Sequence, residues 1–161
     1  MKLCGFMDAD WAGSPTDRKS TSRGVFSIES TTVSWYIRKQ RSMALSSAEA
    51  EYKAASLAAC EAIWMRKILV GLFDSHLEPT VIYCDNQSCI KLSANPIFHD
   101  RSKHIDITYH HIRDCAQQRI MLLSYIPTED QDADILTKAL TRSKFEYHRG
   151  RIGVADNPYL V

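Results

Sequence analysis

The stretch from Ser46 to Leu69 most limits how this chain can fold. It is rich in alanine and leucine, which gives it high helix propensity along its whole length. Ser46 followed three residues later by Glu49 fits a capping box at its start. The run is apolar on most sides, so it predicts a central, largely buried helix, with Gly71 as the expected stop.

Strands are legible on both sides of it. Leu3 to Met7 reads as a short strand running into Asp8, followed by a polar turn region from Gly13 to Asp17. Gly24 to Ile28 and Val33 to Ile37 form two further strand candidates, with a hairpin turn at Glu29 to Thr31. In the second, Val33, Trp35 and Ile37 share one face and Thr32, Ser34 and Tyr36 the other, the period of a half-buried strand. Beyond the helix, Val81 to Cys84 is brief and apolar, as suits a buried parallel strand, and Ile120 to Ile126 is another candidate closed by Pro127. Helices are expected over Asn86 to Ala94, ended by Asn95-Pro96, over Ile105 to Gln118, and over Ser143 to Arg151. Thr128 with Gln131 resembles a second capping box, opening a helix through Asp134 to Leu140. The order predicts one mixed α/β domain over residues 1–161, with a core at about 3–153 and a tail after it. Its first three strands form an antiparallel meander, and the strands separated by helices pair in parallel.

Composition narrows the class. The chain has 161 residues, 45% hydrophobic and 24% charged, enough for one packed domain. No apolar run approaches the roughly 18–20 residues of a membrane span. Met1 to Ala9 forms neither a signal peptide nor an arginine-rich transit segment. Cys4, Cys60, Cys84, Cys89 and Cys115 are scattered without a paired motif, which reads as buried free thiols in a reducing compartment. An intracellular protein is expected, cytoplasmic or nuclear and not secreted. The formal net charge of +1 gives no global basic signature. Local basic clusters exist at Arg18 with Lys19, at Arg38, Lys39 and Arg41, and at Arg101 with Lys103.

Four acids stand where chemistry is usually built. Asp8 and Asp85 follow predicted strands, and Glu51 and Asp134 lie in the first turns of predicted helices. In an open α/β sheet the crevice beyond the strand ends is the usual site. Carboxylates converging there would repel one another without a cation, and all-oxygen ligation suits Mg²⁺ or Mn²⁺. A pair of such ions activates water and stabilises a leaving phosphodiester oxygen. Plainer readings stand beside this one. Glu49 is most simply a helix cap, Asp10, Asp130 and Asp132 are solvated or capping, and a single Asp after a strand is commonly a turn former. His99, His104, His110 and His111 read as surface and packing residues rather than zinc ligands.

Several blocks of sequence sharpen the choice. Phe6-Met7-Asp8-Ala9-Asp10-Trp11-Ala12-Gly13, Arg18-Lys19-Ser20-Thr21-Ser22 and Val33-Ser34-Trp35 resemble the opening of the ribonuclease H domain of Copia-type (Ty1/copia) LTR retrotransposons. The resemblance continues through Ser46-Ser47-Ala48-Glu49-Ala50-Glu51-Tyr52, Tyr83-Cys84-Asp85-Asn86, Lys103-His104-Ile105-Asp106 and Ala133-Asp134-Ile135-Leu136-Thr137-Lys138. The blocks follow the family order from Gly5 to about Gly153. The resemblance implies a ribonuclease H-like fold with a five-stranded mixed sheet flanked by helices. It also implies a metal-binding set of Asp8, Glu51, Asp85 and Asp134, two Mg²⁺ ions (Mn²⁺ substituting), and 5′-phosphate and 3′-hydroxyl products. The implied substrate is an RNA–DNA hybrid, the implied partner the reverse transcriptase polymerase domain of a parent polyprotein, and the implied setting a cytoplasmic virus-like particle or the nucleus.

The 2′-hydroxyl distinguishes the RNA strand, and the resemblance gives its reading to polar residues beside the acids: Ser47, Asn86 and Gln87. Helix capping is their alternative role. Arg38, Lys39 and Arg41 are candidates for DNA phosphates, with Trp35 or Tyr36 at the groove wall. Two departures stand out. Tyr125 to Asp130 lacks the histidine common in cellular relatives, leaving the proton shuttle unassigned. Arg23 stands where relatives commonly have glycine, so it is expected to alter the early strand turn or add a phosphate contact. Two other readings remain open: a catalytically weak or host-adopted domain that binds hybrid or a protein partner, and another nuclease on the same scaffold, which the Ala133 to Lys138 block disfavours.

Overall fold

The alanine-rich run forms helix α1 over Ser47–Phe73 in a computed structural model that describes residues 1–74, 77–94, 103–155 and 157, the side chains of 103–109 excepted. Ser46 caps it, its hydroxyl accepting the Glu49 amide at 3.1 Å. The Glu49 carboxylate reaches back to the Leu45 amide at 2.8 Å, one residue before the expected box partner. Gly71 does not stop the helix. An exposed glycine costs a helix only about 1 kcal/mol, and the chain turns instead at Asp74, which takes a left-handed φ of 44° and donates its amide to the Val70 carbonyl.

Ala50, Ala54, Ala55, Ala58, Ala59 and Ala62 are fully buried, so α1 lies close on the sheet. Small side chains are what allow that approach. Its last turns emerge from the core, leaving Trp64, Leu72 and Phe73 exposed, so the expectation of burial holds only for the first two thirds.

The sheet has strands β1 (Leu3–Asp10), β2 (Thr21–Ile28), β3 (Thr31–Lys39), β4 (Thr80–Cys84) and β5 (Met121–Tyr125). Their order is β3-β2-β1-β4-β5. The first three are antiparallel, β4 runs parallel to β1, and β5 runs parallel to β4, as the sequence predicts. Helices α2 (Gln87–Ala94), α3 (Lys103–Gln117) and α4 (Arg142–Arg151) complete the domain. The expected stop at Asn95-Pro96 lies outside the described residues.

In β3 the period is as expected, and the structure settles which side is covered. Val33, Trp35 and Ile37 are the exposed residues, Trp35 at 66%, while Thr32, Ser34 and Tyr36 are partly covered. Tyr36 packs against the core on the α1 side. Alternation fixes which residues share a face, but only the packed layers decide which face is covered.

The segment expected as a helix from Thr128 to Leu140 is two short 3₁₀ turns, Thr128–Asp130 and Asp132–Leu136. Gln131, fully buried, holds them. Its side-chain amide donates to the Met7 carbonyl at 3.0 Å, and its oxygen accepts the Ala133 amide at 3.3 Å. The second turn thereby packs on β1 and β2, on the side of the sheet opposite α1. Asp132 is neither solvated nor a simple cap: it is buried against His148 Nδ1 at 2.8 Å and Arg151 Nε at 3.0 Å, tying α4 to this segment. All five cysteines are free, three of them buried, Cys4 half-buried and Cys60 exposed.

Candidate active site: a carboxylate cluster in two halves

Asp8 lies in β1, two residues before the strand ends, and is buried. Glu51 lies in the second turn of α1, also buried, and its Oε1 accepts the Ala9 amide at 3.1 Å. That bond brings the helix residue to the strand beside Asp8. Asp85 follows β4 directly, and Asp134 sits in the second 3₁₀ turn. Acids distant in the chain therefore meet at one end of the sheet, grouped as two pairs.

The first pair is Glu51 with Asp85. One ligand atom from each, together with the Cys84 sulfur between them, lies within 4.8 Å of the others. The Cys84 thiol donates toward Glu51 Oε2 at 4.0 Å, and the Thr128 hydroxyl donates to Asp85 Oδ2 at 2.9 Å. No lysine or arginine forms an ion pair with either acid among the described residues. Burial pushes the Glu51 carboxyl up to about 9, with Cys84 adding to the rise and the Ala9 amide opposing it. A carboxyl raised this far is mostly protonated near neutral pH, and a bound cation would favour its charged form. Two carboxylates suit a hard divalent ion, so this half fits one, with the thiol as a donor to Glu51 rather than a preferred ligand.

The second pair is Asp8 with Asp134, and its setting is different. Arg23 stands directly opposite Asp8 in the β1–β2 register, so both side chains point to one face. Its Nη2 is ion-paired with Asp8 Oδ2 and lies 3.6 Å from Asp134 Oδ1. Lys138 Nζ lies 2.7 Å from Asp134 Oδ1 and 3.6 Å from Asp8 Oδ2. Arg23 is 0% exposed. The expectation that it alters a turn or meets a phosphate from the surface is therefore corrected: it fills the interior of the site. Burial lowers its pKa while Asp134, Glu51 and Asp85 raise it again. This half does not fit a further divalent ion, because both acids already face cations.

The substrate candidates fall around the first half. Ser47 is exposed at the start of α1 and Gln87 at the start of α2. The Asn86 side chain accepts the Cys89 amide at 3.0 Å and caps α2. Arg38, Lys39 and Arg41 line a groove of about 390 Å³ together with Ser22, Gln40 and Lys53. Lys39 pairs with Asp17 at 2.8 Å, whereas Arg38 and Arg41 make no ion pair among the described residues. Gln40 donates to the Ala50 carbonyl at 2.9 Å, linking the groove to the residue before Glu51. Trp35 is elsewhere, in a pocket of about 240 Å³ with Val25, Leu136 and Ile152, and Tyr36 packs over Gly24, so neither forms the groove wall.

Sequence reasoning overlooked Lys53, Thr128 as a partner of Asp85, and Lys138. The two lysines carried a signal, a spacing of four from an acid: Lys138 from Asp134 and Lys53 from Glu49. Among the described residues the histidines give no zinc site: the Cys60 and Cys115 sulfurs approach His111 at opposite ring nitrogens, 3.5 Å from Nε2 and 4.0 Å from Nδ1, so they share no common point with it. His110 is exposed, while His99 and the side chains of His104 and Lys103, with Arg101, lie outside the described residues.

Comparison with known proteins agrees with the fold. No protein-family model matches the chain. It is 40% identical over 155 residues to the retrovirus-related Pol polyprotein from transposon TNT 1-94 of Nicotiana tabacum, covering 96% of this chain and 12% of that protein. It is 39% identical over 158 residues to the corresponding polyprotein from transposon RE1 of Arabidopsis thaliana, covering 98% of this chain and 11% of that one. The chain thus spans about an eighth of the length of these relatives. Among solved structures, the N-terminal RNase H domain of a Mycobacterium tuberculosis protein superposes with a TM-score of 0.59 at 12% identity, over 92% of this chain and 96% of that one. LC11-RNase H1, solved in complex with an RNA/DNA hybrid, superposes with a TM-score of 0.57 at 11% identity, over 81% and 88%. A five-stranded mixed sheet of this order, together with about 40% identity over almost the whole chain, identifies this chain as a ribonuclease H-fold domain homologous to part of the Pol polyproteins of Copia-type retrotransposons.

Proposed function

We propose that the domain is a divalent-cation-dependent endoribonuclease that hydrolyses the RNA strand of an RNA–DNA hybrid, beside the reverse transcriptase polymerase domain of a parent polyprotein. The observation that carries this reading is the meeting of Asp8, Glu51, Asp85 and Asp134 at one end of the sheet. The hybrid held by a structural neighbour supports the choice of substrate.

Glu51 and Asp85 would hold an ion, which supplies a water of lowered pKa and positive charge beside the departing oxygen. Thr128 fixes the rotamer of Asp85, and the Ala9 amide fixes Glu51. Arg38, Lys39, Arg41 and Lys53 give the 390 Å³ groove a positive wall suited to the DNA-strand phosphates. Ser47 and Gln87, at the exposed starts of α1 and α2, are positioned to meet the 2′-hydroxyls, with Asn86 orienting α2. The two-ion scheme implied by the resemblance calls on all four acids, and the buried Arg23 stands against its second ion. That observation favours a second reading, in which the domain binds hybrid and cuts it feebly.

A labelled hybrid with Mg²⁺ or Mn²⁺ tests both. The RNA strand is cut, EDTA abolishes cutting, and single-stranded RNA and duplex DNA survive. Asp85→Asn lowers the rate by about 10³-fold with the fold intact, since a metal ligand is worth several kcal/mol. Robust cutting by that variant overturns the site assignment. Binding of hybrid by the wild type with feeble cleavage or none selects the second reading.

A further inference from the structure

We infer that Arg23 takes the place of the second divalent ion, so that this domain holds a single ion, at Glu51 and Asp85. The inference rests on the cation-dependent reading above. It starts from a register: Arg23 of β2 faces Asp8 of β1 across the antiparallel ladder, on the side of the sheet where the Asp132–Leu136 turn brings Asp134. A guanidinium there has nowhere else to go. It is 0% exposed, and its Nη2 sits between the two carboxylates, paired with Asp8 and 3.6 Å from Asp134.

Charge closes the argument. Asp8 and Asp134 carry two negative charges, and Arg23 and Lys138 carry two positive ones, so this half is neutral before any ion enters. A divalent cation arriving there would leave an excess of two positive charges, or of one with Lys138 withdrawn, in a buried space, which low-dielectric surroundings penalise steeply. Arginine holds its proton throughout the accessible pH range, so no ordinary change of conditions clears the place. Lys138 differs, because its side chain is 40% exposed and can swing into solvent. Arg23 has no such exit. Its Nε and Nη1 have no hydrogen-bond partner among the described residues, so the carboxylates are all that compensate its burial.

The Glu51–Asp85 half carries no internal cation among the described residues and so keeps its demand for one. The consequence is a site whose four acids are intact in sequence but that is loaded by one metal and one arginine. It predicts weak turnover without any loss of an acid.

Mn²⁺ binding by calorimetry, with electron paramagnetic resonance of the bound ion, tests this on the whole chain. Wild type takes up one Mn²⁺ with the spectrum of an isolated ion, and Glu51→Gln loses it. Arg23→Ala takes up a second, and two ions about 4 Å apart give a spin-coupled spectrum. Arg23→Lys and Lys138→Met stay at one. A spin-coupled pair in the wild type, or a folded Arg23→Ala that stays at one, overturns the inference while leaving the function reading standing. Should Arg23→Ala fail to fold, the wild-type spectrum alone decides. Absence of any bound ion in both proteins brings down the inference and the cation-dependent reading together.

Discussion

In one half of the carboxylate cluster, Asp8 and Asp134 meet a buried guanidinium and a lysine. In the other, Glu51 and Asp85 meet a thiol, a hydroxyl and a backbone amide. The acids are of one chemical kind and lie within one small region, yet their neighbours give them opposite tasks. The first half is internally neutral and contributes to holding β1, β2 and the Asp132–Leu136 turn together. The second is an unmet demand for positive charge, which Glu51 satisfies with a proton until a cation arrives. A list of acids therefore does not describe a metal site. The cations that the fold has already supplied must be counted too.

Stability measurements under chelator separate the halves most sharply. Asp8→Asn leaves Arg23 buried with one counter-charge fewer and costs about 3 kcal/mol, the lower end for a broken buried pair because Asp134 remains. Glu51→Gln shifts stability by under about 1 kcal/mol, since the amide imitates a carboxyl already protonated near neutral pH. Denaturant melts of both variants check the contrast, and equal losses would erase it.

Proton linkage gives the next effect. The Glu51 carboxyl is raised from 4.5 when unfolded to about 9 in the fold, so the folded state binds the extra proton. Its contribution to stability is complete below about 4.5 and is lost as pH rises toward 9, with a slope of up to about 1.4 kcal/mol per pH unit. A divalent ion binds the deprotonated form, so the rise in melting temperature caused by Mn²⁺ grows from pH 6 to pH 8. Glu51→Gln removes that growth, and a pH-independent Mn²⁺ shift in the wild type would contradict it.

The smallest effect belongs to Thr128. Its hydroxyl holds Asp85 at 2.9 Å from an exposed position, so Thr128→Val weakens Mn²⁺ binding by no more than about tenfold. Calorimetry reads this directly, and the same substitution leaves the Asp8–Asp134 half unchanged.

Much of this was open to reading in the chain. The alanine-rich run gave α1 its place, and Ser46 with Glu49 marked its start within a residue. Strand alternation found β3 but not its covered side, because period is local and coverage is not. Thr128 and Gln131 looked like a capping box, and local spacing supports that reading. What it omits is the bond from Gln131 to the Met7 carbonyl, across 124 residues of sequence, which draws the segment into 3₁₀ turns on the sheet. Glu51 was distinguishable from Glu49 by its block, and the structure keeps them apart: Glu49 caps the helix while Glu51 turns inward.

By itself, the sequence determined the order of elements and the mixed sheet, since these follow from periodicity and propensity along the chain, and it nominated the four acids through the blocks that resemble the family. The tertiary structure alone decided that those acids divide into two pairs. Arg23 is visible in the sequence as a departure from its relatives, but its partner Asp8 lies fifteen residues away and comes opposite it only through strand register. Asp134 joins them only when its turn packs across β1 and β2. Charge depends on distance through space, and distance through space is what folding adds.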